Sequence, residues 1–146
     1  MDTEKYLALA DVLSSREFPA EDDGSDAGEG GPGFLLAPLA VSHGLRQADP
    51  ALRVAQVERF HDDKEVLAGR LTERWGEPYR VGLQTIRLRT AHEEIPEPWA
   101  GFSLLVEDAY LWELPGHGRW AVLGVADMDS ADEIRLLLLV TETDPP

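Results

Sequence analysis

Residues 109–126 read Ala-Tyr-Leu-Trp-Glu-Leu-Pro-Gly-His-Gly-Arg-Trp-Ala-Val-Leu-Gly-Val-Ala. Two apolar runs parted by Pro115-Gly116-His117-Gly118 predict a β-hairpin, with strands at about 109–114 and 119–126. Placed symmetrically about Gly116, Trp112 and Trp120 would face each other across it, a cross-strand aromatic pair worth roughly 0.2–1 kcal/mol over alanines. Glu113, between Trp112 and Leu114, points the other way from both and is expected to meet water.

The pattern extends outward from this hairpin. An acidic loop at 127–133 leads to a strand at 134–142. Its run Leu136-Leu137-Leu138-Leu139-Val140 is apolar on both faces, as a central, covered strand requires. Upstream, a strand at 102–106 is expected to join 109–114 through Glu107-Asp108. Before the proline-containing loop 91–100, Tyr79, Val81 and Leu83 alternate with Arg80 and Gly82. The phase then slips to Ile86 and Leu88, alternating with Arg87 and Arg89. That slip predicts one strand over 79–89 with a bulge near Gln84-Thr85.

The first half reads differently. Tyr6, Leu9, Ala10 and Leu13 form one helical stripe over 3–14, with Thr3 or Asp2 as cap, and the plain apolar run Tyr6-Leu7-Ala8-Leu9 leaves a short strand as the competing reading. Residues 17–33 hold six acids, no base and five glycines. Such a stretch buries too little apolar surface to offset its ordering entropy, so a mobile loop is expected. In 34–41, Pro38 predicts an edge strand or an extended segment lying on the core. Asp49-Pro50 resembles an N-cap with proline at the first helical position. Residues 51–60 keep no clean period and stay open between helix and strand. Asp62 and Glu65 have capping-box spacing ahead of Val66, Leu67, Leu71 and Trp75, with Gly76 and Pro78 as stops, which predicts a helix at about 63–75. The expectation is a single α+β domain: one or two helices packed on a mainly antiparallel meander of four or five strands.

The chain has 146 residues, no cysteine and a formal charge of −15. Residues 1–33 and 107–146 carry −7 each, and 34–106 carry −1. Acidic ends repel phosphate, which argues against nucleic acid and for a basic partner. The acidic start, with its short apolar run Tyr6–Ala10, predicts neither a secretory signal nor a membrane span, and the lack of cysteine fits the cytoplasm. Eleven arginines against two lysines read as the codon bias of a GC-rich bacterial genome.

Catalytic patterns fail on inspection. Asp127-Met128-Asp129-Ser130-Ala131-Asp132-Glu133 opens like a calcium loop, but Asp132 replaces the glycine such a loop needs and Leu138 its closing glutamate. His61-Asp62-Asp63 and His92-Glu93-Glu94 lack the two-histidine spacing of a zinc helix, and Pro96 stands where the second histidine would be. His43 and His117 sit among turn residues. No serine lies in a nucleophile elbow, and Gly28–Gly33 lacks the lysine of a phosphate loop. No catalytic residue, metal site or cofactor is assigned.

The expected function is therefore a small acidic protein-interaction module. Trp112 and Trp120 would anchor a basic protein partner, ringed by Glu113, Asp127, Asp129 and Asp132. The toxin-neutralising immunity proteins of bacteria are often small, acidic, cysteine-poor and α+β, and the chain is similar to them in size and charge only. Such an inhibitor of a basic protein is one form the module would take. The alternatives are an assembly subunit, homo-oligomeric through 34–41 or a sheet edge, and a metal-dependent enzyme using the loop carboxylates.

Overall fold

A computed structural model describes residues 3–21, 23–25, 28–42, 49–116, 118–127 and 133–146. In chain order the described residues form α1 (Thr3–Ser15), β1 (Asp23–Ser25), β2 (Gly28–Gly31), β3 (Phe34–Val41), α2 (Pro50–Trp75), β4 (Tyr79–Gly82), α3 (Gln84–Arg89), α4 (Trp99–Ser103), β5 (Val106–Leu114), β6 (Arg119–Ala126) and β7 (Arg135–Thr141). The strands make one sheet in the order β1-β2-β3-β7-β6-β5-β4, and every neighbouring pair is antiparallel. The class is α+β. Among the described residues there are more elements than the sequence pattern suggests: four helices and seven strands.

β7 lies fourth of seven, and Leu136 to Val140 are each at most 1% exposed. Its unbroken apolar run has this cause: both faces are covered. Leu136, Leu138 and Val140 meet α1 and α2 on one side. Leu137 and Leu139 join Leu83, Trp99 and Phe102, from around α3 and α4, on the other.

Helix α2 explains why 51–60 shows no period. Asp49 caps it, its Oδ1 accepting from Ala51 N–H at 2.8 Å, and Pro50 opens the first turn. The first two turns project beyond the core, leaving Leu52 and Val54 47% and 59% exposed. Burial begins at Phe60 and continues through Lys64, Leu67, Ala68 and Leu71, at spacings of i, i+4, i+7, i+8 and i+11. Asp62 and Glu65 therefore lie inside one 26-residue helix instead of capping a shorter one. Gly76 ends it at φ 90°, a conformation that side chains rarely adopt. In α1 the buried side is Leu7, Ala10 and Leu13, flanked by Tyr6 and Leu9. Asp2 lies outside the described residues.

Four expectations need correction. Residues 84–89 form α3 and not the second half of a bulged strand: Arg87 N–H bonds Leu83 O at 2.9 Å and Thr90 N–H bonds Ile86 O at 3.1 Å. Leu83 and Ile86 turn inward at helical spacing, and Leu88, which alternation pointed inward, is 65% exposed. Likewise 99–103 is helical, burying Trp99 and Phe102 one turn apart. Glu107-Asp108 is no link between strands but a register shift inside β5, between Val106 and Ala109. It sets both of these residues on the face of Trp99. Finally, β3 is interior and β1 and β2 arise within the supposed loop 17–33. β2 pairs with β3 only over Phe34–Leu36, and a bulge follows Pro38, so the proline avoids the paired part of that side.

Candidate functional site

Strand alternation decides which predicted residues share a surface. On β5, Tyr110, Trp112 and Leu114 face α1 and α2, and Leu111 faces the opposite side. The hairpin register runs Trp112↔Ala121 and Glu113↔Trp120, one residue later than symmetry about Gly116 requires. One residue of slip turns a side chain to the other face. The two tryptophans are thus back to back, not paired.

Trp112 is fully buried, its indole N–H donating to Gly76 O at 3.0 Å. It packs edge-on against Trp75, with ring centroids 5.5 Å apart, and lies 6.0 Å from Tyr110. Its task is to hold the end of α2 on the sheet, and it reaches no surface.

Trp120 and Glu113 do come together. Cross-strand partners line up as Phe34, Thr141, Trp120 and Glu113 on β3, β7, β6 and β5. Directly opposed residues share a face, so these four make one row across the sheet. Thr141 lies buried beneath it and donates to Gly33 O at 2.8 Å. Phe34 and Trp120 are half-buried and Glu113 is exposed. Carboxylates frame the row. Glu29 opposes Leu36 in the next row. Asp144 accepts the Trp120 indole N–H at 3.1 Å. Glu142, whose backbone N–H bonds Gly33 O at 3.0 Å, keeps its carboxylate beside Gly33. Residues 142–146 cross this face toward α3: Trp99 donates its indole N–H to Thr143 O at 3.0 Å, and Pro145 and Pro146 wall a cavity with Ile86 and Leu111.

Asp127 is elsewhere. Seven residues beyond Trp120, it stands about 23 Å along the strand direction. There its Oδ2 lies 2.8 Å from His61 Nε2 of α2, and its carbonyl accepts from Arg53 at 3.4 Å. Asp129 and Asp132 lie outside the described residues, as do His43 and His117. Sequence reasoning missed Phe34, Glu29 and Asp144. The apolar run of 34–41 was visible, but nothing local indicated that its partner is β7.

Among the described residues no three His, Asp or Glu side chains converge as metal ligands, and no helix is long and apolar enough to cross a membrane. Compared with protein-family models, curated proteins and solved structures, the chain matches none.

Proposed function

We propose that the protein is an acidic interaction module that docks a basic protein through the Phe34–Trp120–Glu113 row. The observation carrying this reading is the row itself: two half-buried aromatic rings set in line, framed by Glu29, Glu113, Glu142 and Asp144. Aromatic anchors supply most of the binding energy at protein interfaces, and a rim of one charge selects and steers a partner of the other. The overall charge of −15 acts in the same sense at long range, speeding encounter with a cationic surface. An immunity-type inhibitor, covering the basic substrate groove of another protein, is one role that such a surface would serve.

Affinity capture at low salt, repeated in about 0.5 M salt where fields are screened within a few ångströms, tests the reading. Trp120→Ala and Glu113→Lys are run beside the parent protein. A basic protein should be retained at low salt, released by high salt, and held at least about thirty-fold more weakly by each variant, as for an interface hot spot. Retention unaltered in both variants, or a captured protein that is itself acidic, refutes it.

A further inference from the structure

The apolar stripe of α2 contains one charge. Lys64 follows Phe60 by one turn and precedes Leu67 and Ala68 by another, and it is only 6% exposed. An ammonium in such a place is costly unless its protons find acceptors. Among the described residues none accepts them, and no buried side-chain nitrogen there lacks a partner, so Nζ keeps its access to water at the cavity. The polar contact it makes is with the face of Tyr110, Nζ lying 5.6 Å from the ring centroid. A second cation approaches the same ring: Arg80, cross-strand partner of Tyr110, has its guanidinium carbon 5.4 Å from that centroid.

Both side chains line a cavity of about 460 Å³ at the β4 edge of the sheet. Two carboxylates also line it, Glu65 and Asp108. Glu65 is engaged: it accepts the Tyr110 hydroxyl. That leaves Lys64 as a donor set open to the cavity, Arg80 as a planar fork, and an aromatic ring between them.

We propose that this cavity binds a small monocarboxylate, its oxyanion taken up by Lys64 with Arg80 as the second cation. The guanidinium fork matches a planar carboxylate, and the Tyr110 ring offers an apolar wall for a short carbon body. Glu65 and Asp108 set the charge limit. Two cations and two carboxylates leave the cavity walls near neutral, so a monocarboxylate brings one uncompensated charge and a phosphate dianion two. The site lies across the sheet from Trp120, so it stands apart from the docking reading.

The test uses sodium propionate as probe, with inorganic phosphate and sodium chloride as comparisons at matched ionic strength. Amide shifts of ¹⁵N-labelled protein are followed in parallel with calorimetry. Propionate should give saturable shifts centred on Lys64, Arg80 and Tyr110. Binding should weaken at least about tenfold in Lys64→Met and in Arg80→Gln, as expected for losing one partner of a charge-assisted contact. It should persist in Arg59→Gln, an exposed change on the same helix. Arg80 is itself exposed, so its variant keeps the test decisive should Lys64→Met fail to fold. Shifts that never saturate or that chloride reproduces, binding that survives both substitutions, or phosphate binding more tightly than propionate would each overturn the assignment.

Discussion

Gly124 has no room for a side chain. A Cβ there would clash with Val106 Cγ1, because the register shift in β5 swings Val106 over this position. Gly124→Ala should therefore cost about 1–3 kcal/mol, the usual penalty of overfilling a packed core. A smaller residue at 106 should recover part of it, and denaturant unfolding of the single and double variants reads both effects. Tyr110 makes a second prediction at this scale. Its hydroxyl donates to Glu65, and that bond, reinforced by burial, holds the phenol above its ordinary titration range. A group whose folded value is raised contributes stability that is fully present below its unfolded value, near pH 10 for tyrosine. That stability is lost as pH climbs through the raised folded value. Ultraviolet titration compared with Tyr110→Phe should show this phenol ionising late, and Glu65→Gln should bring it down. An unaltered titration in Glu65→Gln would remove the hydrogen bond from the explanation.

At the scale of elements, what the sequence revealed follows from how many neighbours each element has. β6 and β7 were legible because they are covered on both faces, and continuous apolarity needs no phase to be read. The end of α2 was legible because Gly76 and Pro78 act locally. Its beginning was not, since Leu52 and Val54 project from the core and obey no period. Residues 84–89 misled for the opposite reason. Ile86 and Leu88 satisfy a two-residue alternation by composition, while only helical spacing from Leu83 places Ile86 inward. The acids at 107–108 were read correctly as a break but as the wrong kind, a link instead of a bulge. The candidate row was half visible. Trp120 and Glu113 stand out in any reading, but their partner Phe34 is supplied by β3 through β7, a pairing that no short-range pattern encodes. Lys64 was invisible until the phase of α2 was known, because one lysine in a mixed helix usually faces water.

For the whole molecule, residues 142–146 run beside Trp120 and leave its ring half-exposed. Thr143 and Asp144 take the indole protons of Trp99 and Trp120, and Glu142 bonds back to Gly33. Deleting 142–146 should expose both rings further, shift tryptophan emission to the red, and cost about 1 kcal/mol for each hydrogen bond lost. An emission spectrum and melting curve unchanged by the deletion would show that these contacts cover neither ring.

The central position of β7 bears on how the chain is made. Phe34 must wait for Thr141, and Val41 for Arg135. Until then β3 and β6 leave the ribosome as two open borders with a vacant slot between them. Long-range pairings of this kind assemble slowly, and unpaired borders invite strangers. β7 is therefore the strand that locks both halves together, and a nascent chain stalled just short of residue 135 would hold every other described strand of the sheet and still lack its keystone.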